Sequence, residues 1–297
     1  MRRWQWVSIR GWAYTAIRVV LSLLMIAFGM VKVIPTQFIA FTLPSEMLVP
    51  LGESSPSGML WKFMATSTPY TVISGVVEVL GGLLLIARRT VLLGALVSMV
   101  ALIQVSILNI CYDVPVVLTP LLMLGMALVV SMPWWSRLID VMIRNRDSPA
   151  LPRTPLVADP RLRRAGVAAH AAAALLVLIA LGANGINQYR DYTDRLSELD
   201  GVWAVDGFRG DGPRWVRLAI DDRPASQRVV LLRDNGELLE LDLVVEEPES
   251  QIRVGDSTLS YTQPTPDTLR LAGPFDGAAA EVDLYRLPLR SETRTFR

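Results

Sequence analysis

The sequence predicts an α-helical membrane bundle followed by a small antiparallel all-β domain. Half of the residues, 52%, are hydrophobic, and the apolar stretches long enough to cross a bilayer all lie within residues 1–187. Hydrocarbon about 30 Å thick needs roughly 20 helical residues to cross it. Residues 1–187 hold 15 basic and 7 acidic residues, whereas residues 188–297 hold 14 and 21. This charge asymmetry separates a membrane part from a water-exposed part.

We expect five membrane spans, at residues 13–34, 69–87, 90–111, 115–133 and 165–185. Cytoplasmic loops are enriched in basic residues, and the basic residues cluster in the N-terminal tail, the turn after the second span and the segment after the fourth. The N-terminus is therefore predicted to be cytoplasmic, and five spans place the C-terminal domain outside. The clustered arginines are Arg2, Arg3, Arg10, Arg88, Arg89, Arg137, Arg144, Arg146, Arg153, Arg161, Arg163 and Arg164.

These features divide the chain into four predicted parts. A four-helix transmembrane domain covers 1–133, a basic cytoplasmic linker 134–164, a fifth transmembrane helix 165–187, and an extracytoplasmic β-domain 188–297. The predicted location is a cytoplasmic (inner) membrane, with the β-domain periplasmic or extracellular. The loop 35–68 is unusually apolar for an external connection, so we expect it to lie on the membrane interface.

The β-domain is predicted from period-two hydrophobic patterning that begins after Gly201. Short alternating runs follow with turns every 8–12 residues or so, which is typical of a small barrel or a sandwich. Asp234-Asn235-Gly236-Glu237 is the strongest hairpin signal. Trp203 and Trp215 fit the cores of strands.

Several classes of site are excluded by composition. The one cysteine, Cys111, allows no intrachain disulfide, and with the one histidine, His170, it excludes a bis-histidine haem, a Cys₄ cluster or a Cys/His zinc site in one chain. No metal site and no covalent cofactor are predicted, so a redox cofactor would be bound non-covalently. There is no basic stripe with interleaved aromatic residues, so nucleic acid is not an expected partner. No triad or Walker pattern assigns a catalytic residue, and the sequence leaves open whether the chain is an enzyme.

Glu78 is the most informative residue because it lies near the middle of an apolar stretch. A carboxylate at that depth must be paired, protonated or facing a polar cavity. We predict an intramembrane polar site of Arg18, Glu78 and Gln104, with an Arg18–Glu78 ion pair. In the alternative, Arg18 extends to the inner surface and Glu78 is protonated or hydrogen bonded.

A second cluster is predicted at the outer ends of the first and third spans. A Lys32–Asp113 pair would lie there, and tyrosine or asparagine could donate to the carbonyl oxygens of a quinone. The alternative is a structural latch around the 112–115 turn. His170 is read as a packing residue and Cys111 as a buried thiol. The predicted outer cluster is Lys32, Gln37, Asn109, Tyr112 and Asp113.

Three short motifs within residues 15–132 resemble the DoxX family. The resemblance implies a four-helix membrane protein, in some members linked to quinone-coupled oxidation of sulfur compounds or to redox complexes. The fifth span and the β-domain lie beyond the minimal pattern. The motifs are Gly29-x-x-Lys32 with Pro35 and Gln37, Gly75-x-x-Glu78-x-x-Gly81-Gly82 with Arg88, and Asn109-x-x-Tyr112-Asp113-Val114-Pro115.

Three functions follow as hypotheses. The first is a quinone-linked, redox-associated membrane subunit in which Glu78 takes up or releases protons. The second is a non-enzymatic, membrane-anchored binding or scaffold module whose β-domain engages an extracytoplasmic protein. The third is a small-solute permease, which with five spans would require an oligomer.

Overall fold

Eight α-helices and eight β-strands make up the part of the chain that the structure describes. It is a computed structural model that describes residues 2–148, 157, 159–246 and 249–288, with side chains from Ile9 onward. The chain divides into two compact units. The helical unit contains residues 1–35 and 67–186, and the barrel unit contains residues 36–66 and 187–297.

The helical unit is built from long apolar helices. Helix α8 begins at Pro160, earlier than the predicted fifth span, and α6 continues through a 3₁₀ turn into the short α7. Arg153 of the predicted linker lies outside the described residues. The helices of the chain are α1 (Arg2–Val33), α2 (Pro44–Leu48), α3 (Pro56–Thr66), α4 (Thr68–Leu84), α5 (Val91–Cys111), α6 (Leu118–Ser131), α7 (Trp135–Met142) and α8 (Pro160–Thr193).

Four helical stretches are long and apolar enough to cross a membrane. A fifth is added if α4 is counted together with α3, from which it is separated by a break at Ser67. The helical part that the sequence predicts is therefore confirmed. The four stretches are Ile9–Val33, Val91–Cys111, Leu118–Met142 and Pro160–Thr193.

The β-strands form a closed antiparallel barrel in which each strand pairs with the next and β8 pairs back with β1. The predicted turn at residues 234–237 joins β3 to β4, and Gly236 takes a left-handed φ of 84° there. The strands are β1 (Gly201–Gly210), β2 (Trp215–Arg223), β3 (Ser226–Arg233), β4 (Leu238–Glu246), β5 (Gln251–Val254), β6 (Ser257–Thr265), β7 (Thr268–Phe275) and β8 (Ala278–Arg286).

The barrel interior is filled by side chains. Trp203 is fully buried and Trp215 nearly so, as the sequence predicts, and aliphatic residues from all eight strands surround them. The void left between these side chains is about 10 Å³, about the size of one water molecule. The interior of the described barrel is therefore a packed core and not a ligand cavity.

The outer wall of β1, β2 and β3 is covered by the 36–66 segment. Leu48 of α2 packs against Val202, Ala219 and Val230, which point away from the barrel interior. This explains why β2 is buried on both faces near its end, where simple alternation predicts one exposed face. Leu48 of this segment packs on the barrel, and the expectation that the segment also lies on the membrane interface stays a prediction.

A buried carboxylate fixes this packing. The Asp221 side chain, which is fully buried, accepts hydrogen bonds from the backbone N–H of Ser45 (2.8 Å) and from Ser45 Oγ (2.6 Å). Ser226 Oγ and Arg228 Nε also donate to Asp221, at 3.2 and 3.0 Å. Burial lowers the pKa of Arg228, but the hydrogen bonds to Asp221 and Glu240 outweigh it, so the pKa is raised.

Removing one of these donors tests the attachment. We expect Ser45→Ala to reduce the free energy of unfolding by about 1–3 kcal/mol, because a buried carboxylate loses a hydrogen bond. We expect Asp221→Ala to cost more than Ser45→Ala, because several donors at once, among them the buried N–H of Ser45, lose their acceptor while Arg228 keeps Glu240. Ser57→Ala is the matched control, since its hydroxyl bonds only another exposed hydroxyl. Thermal or denaturant unfolding of the purified protein measures these values, and equal effects of Ser45→Ala and Ser57→Ala would contradict the assignment.

Candidate functional site

The helical unit contains a buried ion pair between α1 and α4. Lys32 Nζ lies 2.5 Å from Glu78 Oε1, and the two residues are 7% and 4% exposed. A charge in such a place is strongly disfavoured unless a partner neutralises it. The two side chains neutralise each other, so Glu78 is held by an ammonium group from the C-terminal end of α1.

Glycines bring the two helices close enough for this pair to form. A Cβ built on Gly75 would lie 2.6 Å from the carbonyl oxygen of Gly29, and one built on Gly82 would lie 2.7 Å from the carbonyl oxygen of Ser22. Small residues at helix interfaces allow this approach. Ser22 Oγ also donates to the carbonyl oxygen of Gly82 at 2.7 Å. These contacts fix the register of α1 against α4.

The predicted Arg18–Glu78 pair is wrong, and the register gives the reason. Ser22 lies beside Gly82, and α4 runs antiparallel to α1. Arg18 precedes Ser22 by four residues and Glu78 precedes Gly82 by four residues, so the two lie in opposite directions from this contact. At 1.5 Å per residue the two backbone positions are about 12 Å apart along the helix axes. That separation is too long for a direct hydrogen bond between Arg18 and Glu78. Lys32 lies one helical turn beyond Gly29 and contacts Gly75, which is one turn from Glu78.

The predicted Lys32–Asp113 pair is also absent, because the ammonium of Lys32 is used by Glu78. Asp113 is exposed in the turn after α5, where it adopts a positive φ of 52°. In that turn the N–H of Val114 donates to the backbone oxygen of Asn109 at 2.9 Å. Tyr112 is exposed as well. The structure thus forms the tight turn that the latch interpretation requires.

The remaining predicted residues do not join Glu78. Gln104 is exposed on α5 and donates to the hydroxyl of Tyr70 at 2.9 Å. Gln37 is exposed and belongs to the barrel unit, whereas the other predicted residues belong to the helical unit. Cys111 is exposed, so the expectation of a buried thiol is wrong. Among the described residues no group of three metal-ligating side chains forms.

The barrel unit carries a surface cleft beside the neck that links α8 to β1. Its volume is about 520 Å³, and carboxylates dominate its charged lining. Leu196 and Val245 add apolar surface. We call it the acidic cleft; the described residues that line it are Leu196, Ser197, Asp222, Gln227, Val245, Glu246 and Glu249.

Buried hydrogen bonds hold the neck against the barrel. The carboxylate of Asp200 receives two bonds of 2.9 Å from the guanidinium of Arg223, which also donates to the backbone oxygen of Tyr192 at 2.6 Å. The N–H of Leu196 donates to the backbone oxygen of Asp222 at 2.8 Å. A bidentate arginine–carboxylate pair fixes orientation as well as distance. The acidic cleft therefore has one wall that is anchored directly to the barrel.

Sequence reasoning missed the partner of Glu78 and the contact between Ser45 and Asp221. Both join residues far apart in the chain, so local periodicity carries no sign of them. One signal was available for Lys32: Gly29 and Gly75 are positions of close approach, and Lys32 and Glu78 each follow one of these glycines by three residues.

No family model, curated protein or solved structure matches this chain. The resemblance to the DoxX family accordingly gains no support beyond the three motifs themselves.

A double substitution tests the buried pair. We expect Lys32→Met alone and Glu78→Met alone each to lower the free energy of unfolding by about 3–5 kcal/mol, because each leaves one buried charge unpaired. The double variant Lys32→Met/Glu78→Met should recover most of that loss. Thermal unfolding in detergent measures the cycle, with Asp140→Asn in the exposed Arg144–Asp140 pair as control, for which we expect less than about 1 kcal/mol. A double variant as unstable as the sum of the singles would contradict the pair.

Proposed function

We propose that this protein is a multi-pass membrane protein that holds its β-barrel at the extracytoplasmic surface as a non-enzymatic binding module. The observation that carries the proposal is the buried contact between Asp221 and Ser45. It makes the segment between the first two helices part of the same compact unit as the C-terminal barrel. The helices would then act as the anchor and the barrel as the module.

The contact also bears on how many helices cross the membrane. The 36–66 segment follows the first span, and the barrel follows the last, and both must lie on one side if they pack together. That requires an even number of spans between them. With α4 counted there are four, namely α4, α5, α6 with α7, and α8; without α4 there are three. Helix α4 has 17 residues, at the lower limit for a span. The packing therefore favours five spans.

The surface of the helical unit supports insertion. Large aliphatic side chains on α5, α6 and α8 are more than half exposed, and a patch of this extent is unfavourable in water. Only 11% of the most apolar window of α8 is buried. The clustering of basic residues in the N-terminal tail, the α4–α5 turn and the segment after α7 supports a cytoplasmic N-terminus and a barrel on the outside. Examples of the exposed side chains are Val100, Ile107, Leu118, Leu122, Leu175, Leu176 and Ile179.

The acidic cleft supports a binding role for the barrel. Because the barrel interior is filled, a ligand or partner has to be met on its outer surface. Carboxylates beside exposed apolar side chains favour a basic, partly apolar segment of a partner protein. The exposed Leu196 would supply an apolar contact, and Glu246 and Glu249 would supply charge complementarity.

A quinone-linked redox role is the second candidate, favoured by the buried Lys32–Glu78 pair. Ionisable residues inside a membrane commonly mark proton or substrate pathways. In that case the pair would exchange a proton during quinol oxidation. The short, closed contact between the two side chains fits a structural pair more simply, so the binding module is preferred.

Site-specific photocrosslinking in intact cells tests the binding module. A photoreactive residue at Gln227, in the acidic cleft, should give one defined adduct with another protein. The same residue at Asp256, exposed on the β5–β6 turn, is the matched control and should give none. Glu246→Lys/Glu249→Lys should abolish the Gln227 adduct, whereas Asp256→Lys should not.

An adduct that survives the charge reversal, or equal adducts at both positions, would contradict the proposed binding role of the acidic cleft.

Organic extraction of the purified protein, followed by measurement of bound quinone, tests the redox role. About one quinone per chain, lost in the variant Lys32→Met/Glu78→Met, would favour the redox role over the binding module.

A further inference from the structure

A buried cation without a partner lies at the inner end of the helical unit. Arg18 is 9% exposed, forms no ion pair among the described residues, and has a buried Nε without a hydrogen-bond partner. Buried guanidinium groups are normally paired because removing an unpaired charge from water is very unfavourable. Arg18 therefore requires an anion that its own chain does not supply in the described structure.

None of the described residues that interact electrostatically with Arg18 is a carboxylate, and Arg88 adds a second positive charge. Arg88, in the turn after α4, and Tyr14 on α1 interact electrostatically with Arg18, and so does His170 on α8. His170 is 5% exposed, and both of its ring nitrogens are buried without a partner. Arg18 on α1 and His170 on α8 thus each have a buried side-chain nitrogen without a partner, and the two side chains are close enough to interact electrostatically.

Helix α8 carries a further unpartnered guanidinium on the same side. Arg163 precedes His170 by seven residues, two helical turns, so both lie on one face of α8. Its Nε is also buried and unpartnered. The described helical unit has five carboxylates. Glu78 binds Lys32, Asp140 binds Arg144 and Asp159 accepts from the N–H of Arg161. Asp113 and Asp147 are exposed, and neither forms an ion pair with Arg18 in the described part of the chain.

We infer that Arg18 and His170, with Arg88 at the rim, form a binding site for a phosphate-bearing anion. A guanidinium fork binds phosphate oxygens through two parallel hydrogen bonds, and a neutral imidazole donates one more. The surplus of cations matches an anion whose charge is carried by several oxygens. Arg163 lies where it would extend the site along α8.

The position of the site along α1 points to the headgroup region of a membrane. Helical side chains extend toward the helix N-terminus, so the guanidinium of Arg18 reaches back toward Tyr14 and the inner end of the span. Basic pockets between membrane helices on the cytoplasmic side suit anionic phospholipid headgroups. A lipid source rests on the proposed membrane insertion; free phosphate supplies the same chemistry without it.

The test uses the full chain purified in a zwitterionic detergent and stripped of lipid. Unfolding temperature is followed while phosphatidylglycerol, phosphatidylcholine or inorganic phosphate is added. We expect phosphatidylglycerol to raise the unfolding temperature and phosphatidylcholine not to. Arg18→Gln should weaken the apparent affinity about tenfold, the loss of about 1.4 kcal/mol of binding free energy. Arg18→Lys should retain part of it, and Arg89→Gln, an exposed neighbour of the site, is the matched control.

Stabilisation by inorganic phosphate alone, sensitive to Arg18→Gln, would assign the site to a soluble phosphate. If Arg18→Gln does not fold, His170→Asn tests the same site from α8 and should also weaken the response. The inference is overturned if none of the three additions stabilises the wild-type protein, or if Arg18→Gln and Arg89→Gln respond alike. Either failure leaves the acidic cleft and its crosslinking test unaffected.

Discussion

The unity of the barrel unit depends on one interaction, the hydrogen bonds that Ser45 donates to the buried carboxylate of Asp221. They attach a segment from the first quarter of the sequence to a strand of the C-terminal barrel. A domain joined only through the neck would be tethered at one point. Here the barrel unit is joined to the helical unit by three chain crossings, after Pro35, after Thr66 and after Ile186. Because the 36–66 segment packs on the barrel, the two lie on one side of the proposed membrane, and the proposed number of spans has to agree with that.

The buried charged groups differ in how their charge is balanced, and three cases occur. In the barrel unit Asp221 and Asp200 are satisfied by several donors each, and both stabilise attachments to the barrel. Between α1 and α4, Lys32 and Glu78 satisfy each other. At the inner end Arg18 has no such partner among the described residues. The barrel carboxylates and the Lys32–Glu78 pair have all their partners within the chain, so a structural role explains them. Arg18 gains a partner only when the proposed anion binds.

The positions of helices and strands could be predicted from the sequence more accurately than the contacts between distant side chains. Spans predicted from length and hydropathy match α1, α4, α5, α6 and α8 to within a few residues at most ends, and the period-two pattern predicted an antiparallel β-domain, which is a closed barrel. The pairing of Glu78 was mispredicted because the register of α1 against α4 is set by glycine contacts that hydrophobic periodicity does not encode. The packing of the 36–66 segment on the barrel was not predicted, because apolar surface that packs on a barrel looks the same in sequence as apolar surface that packs on lipid.

Cysteine accessibility in intact cells tests most directly whether the 36–66 segment and the barrel lie on the same side of the membrane. The native Cys111 is exposed and is first replaced by alanine. Single cysteines are then introduced as Ser57→Cys in the 36–66 segment, Asn235→Cys in the β3–β4 turn and Arg89→Cys in the α4–α5 turn. A membrane-impermeant maleimide should label positions 57 and 235 from outside, and position 89 only after permeabilisation. Labelling of 57 and 235 from opposite sides, or of 89 together with 57, would contradict the account.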